Sequence, residues 1–363
     1  MTGLPRLVLS PRIAASPGLV TASLCCGLLA GVLLSGAFLV AIGLPAAALI
    51  PDLIVFPFGP QQGLDRTLLR ATPLILLGLA VVVGLRVRFW NIGVEGQCWM
   101  GAIAATGVAI FDIGPEALRL PLMALAAAAA GGLWCLFPAA MKVRTGASEL
   151  ILTLLLNYVA FQVVQHLLFG PWRDPASAFP VTAQFDAVIE RLPLIGFGRV
   201  HAGLILALFC LVFFYWLTRI SRAGAFMQAT SANPLAGRLL GVPVSGMILL
   251  CGALAGALAG LAGFTIVAGQ EFRLTQFVGQ NYLFAAVLIA FLARLSAGGT
   301  LVAAICMAGL STAADGLKAF YQMPLAVVTC VQAILFLSIA LSTFVPQYRL
   351  LLVRSKALEG SSC

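Results

Sequence analysis

Ten stretches of this chain are apolar and nearly free of charge: about 19–43, 68–85, 95–112, 120–141, 147–169, 201–218, 245–268, 280–293, 299–315 and 324–343. A helix of about 20 residues crosses the roughly 30 Å hydrocarbon core of a bilayer. Backbone polar groups have no water there, so only helices and closed barrels satisfy them. A barrel reads as short alternating segments, and these runs are continuous. With 61% hydrophobic and 9% charged residues, the chain sits far from the roughly 25% charge of soluble domains. These features predict an all-α polytopic membrane protein of about ten transmembrane helices, in which one membrane domain fills residues 1–363. Arg6 and Arg12 precede the first run, but that run is longer than a signal-peptide core. It is expected to be a retained helix.

Charge sets the expected orientation. If the ten spans alternate from a cytoplasmic N-terminus, the inner segments hold 13 basic and 3 acidic residues, against 8 basic and 9 acidic outside. The reverse orientation violates the positive-inside rule, so both termini are expected in the cytoplasm. Two connections exceed turn length. A proline-rich outer loop covers 170–200, and an inner loop, partly helical in pattern, covers 219–244. The net charge of +9 then reflects topology rather than nucleic-acid binding.

Much chemistry is excluded. The chain has no GxxxxGK[ST], HExxH or GxSxG motif, and it has two histidines. Its nine cysteines are scattered without a CxxC pair, which supports neither a zinc site nor a disulfide framework. No enzyme activity, metal or bound cofactor is expected of this chain. Asp112 and Asp315 fall near outer helix ends rather than mid-span, which argues against proton coupling.

Four constellations remain. In FWNIGVEGQ, residues 89–97, Asn91 can cap a helix whose first turn holds Glu95, while Gly93 and Gly96 permit close backbone approach. That pattern fits an ordinary helix start or a broken helix lining a path. Within 146–170, Glu149, Thr153 and Asn157 recur every four residues, and Tyr158, Gln162 and His166 make a second row beside them. Such rows either line a path or bond a neighbouring helix. Gly252, Gly256 and Gly260 form consecutive GxxxG steps, suited to packing against a helix of this chain or of another protomer. The inner loop carries Asn233-Pro234 before AGRLLG, a short surface helix that fits either a connector at lipid head groups or a docking surface.

FWNIGVEGQ at 89–97, GASELILTLLLNYVA at 146–160, GPWRDPAS at 170–177 and ATSANPLAGRLLGV at 229–242 resemble permease subunits of ATP-binding cassette (ABC) importers. The resemblance is to the branched-chain amino acid/ribose type, in its nucleoside and simple-sugar branch served by basic membrane lipoprotein-type binding proteins. It runs in order over roughly 68–345. It implies the ABC importer permease fold and a pair of permeases, identical or related. It also implies a separate ATPase subunit that binds ATP and Mg, and an extracytoplasmic solute-binding protein. Residues 226–240 become a coupling helix, with Phe226, Asn233, Pro234, Ala236 and Gly237 facing the ATPase. The expected path-lining residues are Phe89, Trp90, Asn91, Glu95, Gln97, Asn157 and Gln162. The lead-in to the eighth run departs from the branch at Gln280, Asn281 and Tyr282. The rival reading is an ATP-independent secondary transporter or channel for a small polar solute.

Overall fold

Apolar helices close their own hydrogen bonds, and the computed structural model places a helix in each of the ten runs. It describes residues 6–11, 16–48, 51–60, 63–196, 198–279, 282–322, 324–342, 344–346 and 348–353. In chain order come β1 (Arg6–Pro11), α1 (Pro17–Ala41), α2 (Gly63–Leu85), α3 (Val94–Ile110), α4 (Arg119–Thr145) and α5 (Glu149–Phe169). Then follow α6 (Gly203–Arg219), α7 (Arg222–Ala232), α8 (Pro234–Leu239) and α9 (Val244–Ile266). The last elements are α10 (Tyr282–Leu292), α11 (Ala297–Tyr321), α12 (Leu325–Ser342) and β2 (Tyr348–Val353).

Among the described residues, five helices are long and apolar enough to cross a membrane, or six if α6 and α7, bent by 70°, count as one. The expected run 280–293 holds only the 11 residues of α10, about 17 Å at 1.5 Å per residue. Among the described residues it is therefore not one of the helices long enough to cross a membrane. The 17 residues of α3 reach about 26 Å on the same rise. α3 follows the non-helical backbone of residues 89–93. Of the three residues at which the lead-in departs from the branch, Tyr282 opens α10, while Gln280 and Asn281 lie outside the described residues.

The chain divides into two compact units, residues 52–316 and the two end segments 1–51 and 317–363. In the larger unit, α9 presents its glycine face to α4 and α3. A Cβ at Gly256 would run into the Gly131 carbonyl oxygen, and one at Gly260 into the Ala127 carbonyl. Gly101 of α3 lies equally close to Gly260, and Gly263 to the Cys98 carbonyl. Gly252 meets the Ala139 methyl, where a Cβ would come within 2.8 Å. The GxxxG steps therefore pack against helices of this same chain, and small residues on both sides bring the backbones together.

The larger unit is also sewn along the long connection between α5 and α6. Phe185 N donates to Phe272 O at 2.8 Å and Leu192 N to Ala268 O at 2.9 Å, tying the loop to the wide turn Val267–Glu271 that ends α9. His201 lies buried beneath the loop, its Nδ1 accepting from Gly203 N at 3.1 Å. Arg119, also buried, pairs with Asp112 at 2.7 Å and Glu190 at 3.4 Å. Asp315 pairs with Arg70, so both aspartates considered for proton coupling are held in ion pairs.

In the smaller unit α1 and α12 run antiparallel. Ser23 Oγ donates to the Ser342 carbonyl, Gly27 faces Ser338 and Ser342, and Gly31 faces Leu335. Beyond them β1 pairs antiparallel with β2, from Arg6↔Val353 to Pro11↔Tyr348. The two ends of the described chain therefore lie side by side.

Candidate functional site

Residues 86–93 leave α2 and turn inward before α3 begins. Phe89 N bonds Gly84 O at 3.0 Å, Arg88 takes a left-handed φ of 54°, and the Phe89 side chain is fully buried. Irregular backbone shielded from water must find partners within the protein. One face of α5 supplies them. Trp90 N donates to Glu149 Oε1 at 3.4 Å and Ile92 N to Thr153 Oγ1 at 3.3 Å. Asn157 Nδ2 donates to Ile92 O at 2.9 Å, while its Oδ1 accepts from Gly96 N at 2.8 Å. Below, Lys142 Nζ bonds both Glu149 Oε1 at 2.5 Å and Arg88 O at 2.6 Å. The four-residue row is a set of rungs holding the segment 88–96.

Asn91 does not cap α3. The N-cap position is Gly93, without a side-chain cap bond. Asn91 Oδ1 accepts from Gly93 N at 3.1 Å and Gln97 Nε2 at 2.8 Å, and Asn91 Nδ2 donates to Gln97 Oε1 at 2.9 Å. A primary amide both donates and accepts, so two of them satisfy each other better than one could satisfy a helix end. The structure thus gathers Phe89, Asn91, Gln97 and Asn157 into one buried knot, with Trp90 at its rim, half-exposed and tilted against Phe291.

Glu95 answers a different need. Its Oε1 accepts from Leu283 N at 3.0 Å, in the first turn of α10, where a carboxylate complements the helix dipole. Removing such a cap costs about 0.5–2 kcal/mol. Glu95→Ala is therefore expected to lower the thermal midpoint of the purified protein, and Glu95→Gln, which keeps an acceptor oxygen, to lower it less. Equal midpoints for wild type and the alanine variant would refute the cap.

The row on α5 continues past Asn157. Phe161 meets Trp99 with ring centroids 5.3 Å apart, and Gln165 Nε2 donates to Gln276 Oε1 at 3.3 Å. Adjacent residues on a helix diverge by about 100°, so the second row points elsewhere. Tyr158 is 65% exposed, and Gln162 and His166 are exposed with it. Gln162 is thus separated from the other residues expected to line a path. Trp99 and Phe161 escaped the sequence reading, although each lies one helical turn beyond a selected residue, Glu95 and Asn157.

The stretch 226–240, expected as one coupling helix, is two helices. Pro234 lacks an N–H and disfavours helix at the residue before it. Asn233 accordingly adopts an extended φ of −152°, and its Oδ1 caps α8 through Leu235 N at 3.0 Å and Ala236 N at 3.2 Å. Gly237 is buried, with room for a Cβ 3.6 Å from Ala229 O and Val244. Its neighbours Leu235, Leu239 and Leu240 project outward, with Leu239 83% exposed. Phe226 is exposed too, at 37%. The sequence reading selected the cap and the glycine but missed the leucines, which composition does not distinguish from core.

Comparison with known proteins agrees with the motif resemblance. Residues 63–340 match the family described as branched-chain amino acid transport system / permease component. The glucose ABC transporter permease protein TsgB13 of Haloferax volcanii is 33% identical over 94% of this chain and 93% of its own length. The guanosine ABC transporter permease protein NupP of Bacillus subtilis is 31% identical over 78% of this chain and 83% of its own. The nucleoside ABC transporter permease protein NupB of Lactococcus lactis is 27% identical over 91% of this chain and 93% of its own. With most of its length matched, this chain belongs to the family of branched-chain amino acid transport system permease components, as a multi-pass, non-enzymatic ABC transporter permease.

Proposed function

We propose that this permease imports a nucleoside, nucleobase or simple sugar across the cytoplasmic membrane by alternating access, driven by a separate ATPase. Ten spans with both termini inside are the topology proposed. The antiparallel β1–β2 pair supports an even number of crossings, because paired strands lie on one side of a membrane, and the basic bias of the inner segments supports the orientation. A solute-binding protein delivers the cargo from outside, and a second permease, identical or related, completes the path. The permeases for glucose, guanosine and nucleosides, which match between 78% and 94% of this chain, support the solute class.

The observation that carries the coupling role is the apolar tip of Leu235, Leu239 and Leu240 beyond the 70° bend between α6 and α7. Exposed apolar clusters of this kind mark protein contacts. Asn233 and Pro234 set the tip's geometry, Gly237 and Ala236 let α8 fold against α7, and Phe226 widens the surface. For the path, the open row Tyr158, Gln162 and His166 on α5 and the half-exposed Trp90 are the proposed lining. Phe89, Asn91, Gln97 and Asn157 hold that lining in place.

The test is reconstitution of the permeases with the ATPase and binding protein, measuring uptake of guanosine and glucose. Uptake should require ATP and the ATPase, and Leu239→Asp should abolish it while the permease stays folded. Flux without the ATPase would support the rival secondary transporter or channel. Undiminished uptake in Leu239→Asp would remove the apolar tip from coupling.

A further inference from the structure

The smaller unit holds an apolar groove of its own. α1 and α12 come into close contact where Gly27 faces Ser342 and Gly31 faces Leu335. From that contact toward the end at which β1 precedes α1 and β2 follows α12, the two helices border a groove of about 440 Å³. Leu19, Ala22 and Cys26 line it from α1, and Leu341 and Val345 from the other side. Sites for small molecules occupy roughly 300–1,000 Å³.

Ser23, Ser338 and Ser342 also line the groove, and each already donates its hydroxyl proton within the unit. Ser23 Oγ donates to the Ser342 carbonyl, Ser342 Oγ to Ile339 O at 2.7 Å and Ser338 Oγ to Ile334 O at 2.8 Å. A polar solute entering here would give up its hydrogen bonds to water and meet no free donor, so the groove suits an apolar occupant. Leu341 and Val345 stand exposed at its rim. In a multi-pass membrane chain, the apolar matter beside such a rim is lipid hydrocarbon.

The end of the groove carries the marks of a membrane–water boundary. Phe344 and Tyr348 stack there with ring centroids 6.3 Å apart, both exposed, and tyrosine collects at that boundary. The paired strands beyond, RLVLSP and YRLLLV, carry Arg6 and Arg349 and no acidic residue, with Arg349 opposite Ser10. Basic residues beside a lipid surface attract anionic head groups. We propose that the groove holds an acyl chain of one anionic phospholipid, whose phosphate lies at the basic strands. Apolar walls select the chain, and the charge of the strands selects the head group. The bound lipid then ties the paired ends of the chain to the membrane surface.

The test titrates the purified full-length chain in detergent with dioleoylphosphatidylglycerol or dioleoylphosphatidylcholine. The two lipids share their acyl chains and differ in charge, and native mass spectrometry counts what is bound. Wild type should bind one phosphatidylglycerol about tenfold more tightly than phosphatidylcholine, the scale of one or two basic residues at a lipid surface. Cys26→Trp fills the groove and should weaken phosphatidylglycerol binding about tenfold. Cys25→Trp is the control: Cys25 is equally exposed but does not line the groove, and its variant should bind as wild type does. Should Cys26→Trp fail to fold, Ala22→Phe, at another exposed position on the wall, carries the test with the same expected fall. Equal affinity for the two lipids, wild-type affinity in the groove variant, or an equal fall in Cys25→Trp overturns the lipid site. A lipid-free wild-type dimer that Cys26→Trp disperses also overturns it, because the occupant is then a second copy of this chain.

Discussion

Gly256→Val is expected to prevent the larger unit from folding, so that the purified variant aggregates or fails to accumulate in the membrane. The valine Cβ would enter the space of the Gly131 carbonyl oxygen and of the Cys135 side chain. Backbone cannot step aside as a side-chain tip can, and overpacking of even a yielding core costs about 1–3 kcal/mol. Here α9 and α4 would have to separate along a face that Gly252, Gly256 and Gly260 share. Gly298→Ala is the matching control, because a Cβ there meets nothing within 4 Å. Size-exclusion profiles and thermal midpoints in detergent decide the matter. A monodisperse Gly256→Val with the control's midpoint would show that the helices pack more loosely than described.

Asn157→Leu should be nearly as damaging, for a different reason. The side chain fits by volume, but the change strips Ile92 O of its donor and Gly96 N of its acceptor, both in irregular or first-turn backbone. A buried polar group left unpaired costs about 1–3 kcal/mol, so two together approach roughly 2–6 kcal/mol on that scale. Thr153→Val removes a single partner, that of Ile92 N, and is expected to cost less. Gln162→Leu, on the open face, should leave the melting temperature unchanged while altering uptake. A stable Asn157→Leu would mean that water satisfies the segment instead.

These variants separate residues that look alike in the chain. Asn157 and Gln162 are both amides on one helix, five residues apart, and both were natural candidates for lining a path. Five positions on an α-helix turn through 500°, which leaves them facing different ways. Only the docking of residues 88–96 on one of those faces distinguishes the rung from the open side chain. Glu95 shows the same limit more sharply. Its place near a helix start was legible, whereas its partner Leu283 lies 188 residues away.

The motif resemblance to importer permeases was legible because it rests on local strings, and the family and its near-full-length relatives bear it out. The glycine steps of α9 were legible as a packing face. Their partner was not, since a GxxxG pattern serves a helix of its own chain and a helix of a neighbour equally well.

By itself, then, the sequence determined that the chain is a helical, multi-pass membrane protein with a permease's signature segments. Those properties follow from composition, periodicity and local strings, which residues carry wherever the chain goes. Only the tertiary structure decided that FWNIGVEGQ is a knot pinned by α5, that Glu95 caps α10, and that the glycine steps of α9 pack on α4 and α3. Each of these depends on which backbone groups lie opposite which side chains across helices far apart in sequence. Hydrogen bonds act over about 3 Å, and no periodicity along the chain encodes that distance.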